Sequence, residues 1–201
     1  QTVTGPVMIK PVTQILFASR RKGEVVPSSE ALPARYRAFA TESYGAELRA
    51  WDPDVVRPMV QEFCPGAAQT IYSLSGFISA EGDWAMRGAV KVLQLPRRLG
   101  VGICFEDAPV DPALARGLVS LLRRVGYFGV FEAEFIRRGD EHLLIDVNPR
   151  FYGQMGFDLA RGLPEVLLAY EGAMGHDDEV RALLRAARVT PPGQAPVYCH
   201  A

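Results

Sequence analysis

The residues best suited to chemistry lie between Glu132 and Arg150, in the stretch EAEFIRRGDEHLLIDVNPR. Two apolar-rich runs flank Gly139-Asp140, a pair typical of a tight turn, so the stretch predicts a β-hairpin. Side chains alternate between the two faces of a strand, so Glu132 and Glu134 share one face of the first strand. One face of the second strand carries Asp146, Asn148 and Arg150.

The pairing register decides whether these polar residues meet. With the two-residue loop Gly139-Asp140, Glu134 would lie opposite Ile145, and each face would mix polar and apolar residues. A three-residue loop that also includes Glu141 separates them into one apolar and one polar face, so we expect that loop. The pairs that it predicts are Glu134–Asp146, Glu132–Asn148, Phe135–Ile145 and Ala133–Val147.

The polar face predicts a site for a metal-bound polyphosphate. Two like charges directly across a strand pair destabilise it. A hard divalent cation such as Mg²⁺ would remove that cost, because it prefers carboxylate and amide oxygens. Arg150 on the same side would suit a phosphate. The alternative is a solvated face that Arg137 and Arg138 neutralise.

The run from Asp146 to Arg150, Asp-Val-Asn-Pro-Arg, resembles the Glu-x-Asn-Pro-Arg hairpin of the ATP-grasp superfamily, in its carboxylate–amine ligase branch. Glu134-Phe135 matches the acidic residue and Phe of the partner strand. The resemblance implies that Glu134, Asp146 and Asn148 hold Mg²⁺ and that Arg150 contacts the terminal phosphate. Asp in place of Glu at position 146 makes the side chain one methylene shorter, so its carboxylate extends less far from the backbone toward the metal ion.

Other segments resemble the nucleotide-binding parts of the ATP-grasp superfamily. Lys10 ends the short apolar run Val7-Met8-Ile9, and the match implies a contact with the nucleotide phosphates; a snorkelling surface Lys is the alternative. The segment from Arg57 to Gly66 resembles the hinge between the two ATP-grasp lobes. The match implies that the adenine is bordered by Gln61, Glu62 and Phe63, and Gln69 is the only polar candidate for the ribose.

The segment Gly88–Pro96, GAVKVLQLP, resembles the Thr-Gly-Arg-Lys-x-Arg-Gln-x-Pro run of the ligases. Lys91 and Gln94 are retained, and the resemblance implies a catalytic role for Lys91 beside Arg150. Val90 and Leu93 stand where the ligases have arginines. The basic turn Arg20-Arg21-Lys22-Gly23 has one glycine where many relatives have a glycine-rich loop over the phosphates.

The remaining elements predict an α+β protein. Strands are expected over 70–78 and 84–95. Helices are expected over 34–47 and after Asp111-Pro112, where an Asp cap precedes a first-turn Pro and Gly126 ends the helix. The resemblance covers about 5–175 and implies the ATP-grasp fold, two α+β lobes with the nucleotide cleft between them. We expect an N-terminal lobe over 1–60, a C-terminal lobe with the hairpin over 61–175, and a C-terminal helix and tail over 176–201.

Composition excludes several classes of function. The 201 residues carry a formal net charge of −1, so nothing indicates a nucleic-acid partner. No apolar run approaches the ~20 residues of a membrane span. Cys64, Cys104 and Cys199 are widely spaced without a CxxC pair, so zinc is not expected, and an odd number suits a reducing cytoplasm. The ligase relatives carry an α/β domain ahead of this unit, so we expect a fragment or a truncated member.

The resemblance implies an ATP- and Mg²⁺-dependent ligase that activates a carboxylate as an acyl phosphate, which an amine then attacks. Its partners would be ATP and small-molecule carboxylate and amine substrates, and a homodimer is compatible with this function. The altered glycine loop and the replaced arginines leave open a non-catalytic or regulatory nucleotide-binding module. A third alternative is an unrelated α+β interaction domain with a solvated acidic hairpin.

Overall fold

The computed structural model describes residues 5–13, 23–42, 44–95, 100–189 and 197–199. The basic turn at 20–22 and Arg97-Arg98 lie outside the described residues. The chain divides into two units, Gln1–Pro65 and Gly66–Ala201. The division falls within the segment from Arg57 to Gly66 that resembles a hinge.

The first unit is a three-stranded antiparallel sheet with helices. The strands are β1 (Val7–Lys10), β2 (Glu24–Val26) and β3 (Met59–Glu62), in the order β2-β1-β3. The helices are α1 (Leu32–Glu42) and α2 (Ala46–Trp51), followed by a 3₁₀ turn, Pro53–Val56. A small core of Val7, Ile9, Val26 and Phe39 joins the sheet to α1.

The single helix expected over 34–47 is wrong, because the chain forms two helices there. α1 begins at Leu32, and Pro33 lies in its first turn, where a backbone N–H has no partner in the helix. Gly45 has an extended backbone, with φ −66° and ψ 160°, and starts α2. A second small core of Tyr44, Leu48 and Val55 packs around α2.

The second unit is built on a six-stranded antiparallel sheet. Its strands are β4 (Ile71–Ile78), β5 (Trp84–Leu95), β6 (Val101–Ala108), β7 (Gly129–Arg138), β8 (Glu141–Asn148) and β9 (Val197–Cys199), in the order β8-β7-β4-β5-β6-β9. Its helices are α3 (Pro112–Arg124), α4 (Met155–Ala160), α5 (Glu165–Ala173) and α6 (Asp177–Val189). The expected strands over 70–78 and 84–95 are confirmed as the antiparallel pair β4 and β5.

Helix α3 covers the apolar face of this sheet. The helix expected after Asp111-Pro112 is confirmed. The Asp111 carboxylate accepts hydrogen bonds from the backbone N–H groups of Ala113 and Leu114 at 2.8 and 3.1 Å. Gly126, with φ 75°, follows the helix end. The main core gathers residues of α3 and of the central strands, among them Leu118, Leu122, Leu74, Phe131 and Ala133.

The cysteines differ from the sequence expectation. Cys104 on β6 and Cys199 on β9 face each other across the two strands and form a disulfide, although the odd count had indicated reduced cysteines. Cys64 is free and half-buried. No helix in the described part of the chain is long and apolar enough to cross a membrane.

Candidate active site

The hairpin β7–β8 brings the predicted acidic pair together. Glu134 lies opposite Asp146, and Glu132 lies opposite Asn148, which confirms the expected pairs. The expected three-residue loop is wrong: Arg138 pairs with Glu141, so only Gly139-Asp140 forms the turn.

A β-bulge reconciles the short turn with the polar pairing. The register shifts between Glu134 and Phe135, and Phe135 pairs with Leu144 in place of Ile145. Ile145 is the extra residue on the bulged strand. An extra residue on one strand restores the alternation of faces beyond it, because it shifts the pairing by one position.

Lys91 forms an ion pair with one member of this acidic pair. Its Nζ lies 2.5 Å from Glu134 Oε1, and both side chains are largely buried. Asp146 is exposed and makes no hydrogen bond or ion pair to any residue that the structure describes. The sequence analysis expects a metal ion to relieve the repulsion between Glu134 and Asp146. A lysine from β5, on the other side of the intervening strand β4, already relieves part of it.

Glu132 holds the amide of Asn148. The Glu132 side chain is 6% exposed and accepts a hydrogen bond from Asn148 Nδ2 at 3.1 Å and another from Gln154 Nε2. Burial, followed by the charge of Glu134, raises the pKa of Glu132 to about 7. Asn148 Oδ1 in turn accepts from Arg150 Nη2 at 3.0 Å. The Asn148 side chain is thus fixed with its oxygen toward Arg150.

A buried polar network adjoins these residues and was missed at the sequence level. Ser75 Oγ donates to Asp158 Oδ2 at 2.6 Å, and Tyr152 Oη contacts the carboxylates of both Asp158 and Glu165. Burial, followed by the charge of Asp158, raises the pKa of Glu165. One Tyr hydroxyl has a single proton, so a protonated Glu165 can donate to Tyr152 while Tyr152 donates to Asp158.

Arg161 completes the network from α4 to the sheet. It is fully buried, pairs with Asp158 and Asp107, and lies 3.9 Å from the centroid of the Phe157 ring. Arg87 donates to the Arg161 carbonyl at 2.9 Å. The Asp-x-x-Arg spacing of 158 and 161 was the available sequence signal, but on a helix it equally fits a surface ion pair.

The nucleotide candidates of the first unit lie on its central and edge strands. Lys10 is half-buried at the end of β1, opposite Met59. Gln61 pairs with Met8, Glu62 with Val7, and the Phe63 N–H donates to the Pro6 carbonyl at 3.1 Å.

Gln69, the ribose candidate, belongs to the second unit. It is exposed in the 3₁₀ turn Ala67–Gln69, which begins after the left-handed Gly66. The Gln69 N–H donates to the Gly66 carbonyl at 2.9 Å. Gln94 is buried on β5.

The donor chemistry of the hairpin fits Mg²⁺. Two facing carboxylates and one amide oxygen are hard oxygen ligands. Ser73 Oγ, on the strand residue paired with Glu134, is buried and has no hydrogen-bond partner. Among the described residues no three His, Cys, Asp or Glu side chains are grouped to hold a metal ion. A Mg²⁺ ion at this hairpin would therefore require the amide oxygen of Asn148 beside the two carboxylates.

Comparisons with known proteins give structural matches alone. No family model matches the sequence, and no curated protein matches it. The N5-carboxyaminoimidazole ribonucleotide synthetase of Thermus thermophilus matches with a TM-score of 0.55 and 15% identity, over 87% of this chain and 42% of that one. The ATPase subunit of phosphoribosylaminoimidazole carboxylase from Aquifex aeolicus matches with a TM-score of 0.50 and 16% identity, over 59% of this chain and 38% of that one.

The chain has the ATP-grasp fold. The α+β fold expected from the sequence is therefore confirmed. The chain spans about two fifths of the length of these structures, 42% and 38%. At this level of identity the likeness extends to the fold, and the hairpin chemistry has to be argued from the residues themselves.

Proposed function

We propose that the protein acts as an ATP-dependent carboxylate–amine ligase. The observation that supports this most directly is the hairpin of the ATP-grasp sheet, where Glu134 faces Asp146 and Asn148 is oriented toward Arg150. Carboxylates, an amide oxygen and a guanidinium on one face are the groups that a metal-bound triphosphate requires.

The reaction would proceed in two steps. A carboxylate oxygen of the substrate attacks the terminal phosphorus of ATP, the bond to the bridging oxygen breaks, and ADP leaves. The amine nitrogen then attacks the acyl carbon, phosphate leaves, and the amine loses a proton. When bound, Mg²⁺ would neutralise charge on the phosphates; Glu134, Asp146 and Asn148 would hold it.

We assign the remaining roles by the same proposal. Arg150 would bind the transferring phosphoryl group through its fork of N–H donors. Lys91 would move from Glu134 to a substrate or phosphate oxygen when a metal takes its place. The nucleotide would be contacted by Lys10, Gln61, Glu62, Phe63 and Gln69. The cytoplasmic location and the homodimer stay predictions of the sequence.

A thermal-shift titration with ATP and Mg²⁺, together and apart, tests the proposal. A rise in melting temperature that requires both supports metal-bound ATP. No rise under any condition contradicts nucleotide binding. Release of ADP that depends on an added carboxylate, followed by release of phosphate on addition of an amine, would test the two steps separately.

The second candidate function is a regulatory module that binds nucleotide without turnover. The ion pair of Lys91 and Glu134 favours it, because a lysine already occupies the side of Glu134 that a metal would use. Val90 and Leu93 also replace the two arginines of the ligase pattern. A thermal shift with ATP alone, unchanged by Mg²⁺, would support this candidate against the ligase.

A further inference from the structure

The outer surface of α3 carries a concentration of positive charge that the proposed ligase does not use. α3 reads PALARGLVSLLRR and has three arginines and no acidic residue, whereas the whole chain has a net charge of −1. Its apolar side faces the main core, which lies on the face of the sheet opposite Glu132 and Glu134.

These arginines line a pocket in the second unit. The pocket has a volume of about 460 Å³, within the range of ~300–1,000 Å³ that small-molecule sites occupy. It is lined by Trp84, Arg116, Val119, Ser120, Arg123 and Arg124. Residues 116, 120 and 123 share one face of α3, because neighbours three and four apart lie side by side on a helix.

The three guanidinium groups of this pocket make no hydrogen bond or ion pair to any residue that the structure describes. Elsewhere the structure pairs exposed arginines with acids, as in Arg181–Asp178 on α6 and Arg138–Glu141 on the hairpin. Glu81, in the turn before β5, interacts electrostatically with Arg181. Arg116 also interacts electrostatically with Asp111, which caps α3. The three guanidinium groups therefore have no direct hydrogen-bond acceptor among the described residues.

Neighbouring groups hold two walls of the pocket in place. Arg188 on α6 donates from Nε to the Trp84 carbonyl at 2.7 Å, and its Cζ lies 5.5 Å from the centroid of the Trp84 ring. Arg123 lies over the turn at Gly82, where an added Cβ would meet its Cζ at 2.5 Å. Gly82 also has φ 95°, a left-handed backbone conformation that favours glycine.

We propose that this pocket binds a nucleoside phosphate, at a second site distinct from the hairpin. Guanidinium groups and a Ser hydroxyl bind phosphate oxygens, and the half-buried indole of Trp84 gives the pocket an apolar wall for an aromatic base. The combination fits a ligand with a phosphate and an aromatic base better than a phosphate alone, because Trp84 forms part of the wall.

The test uses Trp84 as its own reporter. The chain has two tryptophans, and Trp51 is 80% exposed on α2, so Trp51→Phe leaves Trp84 as the single fluorophore. This variant is titrated with adenosine monophosphate, adenosine and inorganic phosphate, in EDTA to remove metal-dependent binding. We expect saturable quenching by the monophosphate, weaker binding of phosphate, and no saturation with adenosine.

Arg116→Ala and Arg123→Ala are combined in the same Trp51→Phe background. This variant should bind adenosine monophosphate with an affinity lower by tenfold or more, because each charge-assisted hydrogen bond contributes about that factor. Arg185→Ala on α6 removes one exposed arginine outside the pocket and should leave affinity unchanged. Absence of saturable quenching, or unchanged affinity in the paired variant, overturns the site. Equal affinity for inorganic phosphate and the monophosphate overturns the aromatic part of the ligand assignment.

Discussion

Asp146 differs from Glu132 and Glu134, the other acids on the polar face of the hairpin, in lacking a partner among the described residues. Glu134 has Lys91, and Glu132 has two amide donors. An exposed carboxylate that faces another carboxylate adds repulsion to the metal-free fold. A substitution at Asp146 can therefore distinguish a role in metal binding from a role in folding stability.

Replacing Asp146 with Asn should leave metal-free stability intact and reduce turnover. Loss of one charge relieves repulsion with Glu134, so the apo melting temperature should hold or rise slightly. The same change removes a charged oxygen from the Mg²⁺ ligands, and we expect ATP turnover to fall by about 100-fold, as for loss of one electrostatic group in other active sites. The measurement pairs apo melting with turnover over a Mg²⁺ series.

Asp140→Asn, an exposed change of the same charge in the hairpin turn, is the matched control and should alter neither quantity. If Asp146→Asn melts much lower but turns over ATP normally, Asp146 is a structural residue and the metal assignment fails.

Glu132 should make stability depend on pH. Its pKa is about 7 in the folded protein and close to 4.5 in the unfolded chain, so the folded state binds more protons between these values. The stability that Glu132 contributes is therefore fully present below the unfolded pKa, is lost as pH rises through 4.5 to 7, and changes no further above that range. The total loss should be of the order of 3 kcal/mol, since one pKa unit corresponds to ~1.4 kcal/mol.

Urea unfolding from pH 4.5 to 8.5 in EDTA measures this loss. Glu132→Gln should reduce the slope markedly, whereas Glu141→Gln, exposed in the same hairpin, should retain it. Equal slopes in the wild type and Glu132→Gln would show that Glu132 does not carry a raised pKa.

At the scale of elements, the bulge at Ile145 combines a two-residue turn with the acidic pairing. From Arg138–Glu141 to Phe135–Leu144 the pairing follows the short turn, and from Glu134–Asp146 onward it is shifted by one. The residues beyond the bulge then place Val147 opposite Ala133 in the core and Asn148 on the polar face.

Deleting Ile145 should leave a regular hairpin with Glu134 still opposite Asp146. The half-buried Ile145 side chain is lost, so we expect a moderate fall in melting temperature, while the shift caused by ATP and Mg²⁺ persists. Deleting Val147 is the matched control, because it would turn Asn148 toward Ala133 and the core. Burying that amide should cost at least ~2 kcal/mol more than the first deletion.

Circular dichroism melting and the thermal-shift assay compare the two deletions. If both deletions abolish the ATP-dependent shift while remaining folded, the bulge itself is required for the site.

At the scale of the whole molecule, the disulfide ties the C-terminal strand to the sheet. Cys104 and Cys199 are 95 residues apart in sequence and adjacent across β6 and β9. A crosslink that closes so long a loop restricts the unfolded chain, with a typical effect of ~2–4 kcal/mol on the free energy of unfolding.

Reduction should therefore lower the stability of the wild-type protein by about 2–4 kcal/mol. Cys104→Ser should melt at the temperature of the reduced wild type and should not respond to reductant. Cys64→Ser removes the free cysteine and should behave as the wild type in both states. Identical melting of the wild type with and without reductant would show that the crosslink contributes no stability.

The sequence alone determined the features that rest on local periodicity. The cap at Asp111 and the stop at Gly126 set α3, because both act within one helical turn of the residues concerned. The alternation of Glu132, Glu134, Asp146 and Asn148 fixed which side chains share a face. The Asp-Val-Asn-Pro-Arg run was specific enough to indicate the ATP-grasp fold, which the structural comparisons support.

Only the tertiary structure decided the contacts between distant segments. The bulge at Ile145 depends on two neighbouring strands and the core beneath them, so the faces alone could not distinguish it from a longer loop. Lys91 reaches Glu134 across β4, and Ser75 reaches Asp158 over 83 positions of sequence. Such pairs have no local signal, because their proximity is set by the order of strands in the sheet and by the helices packed on it.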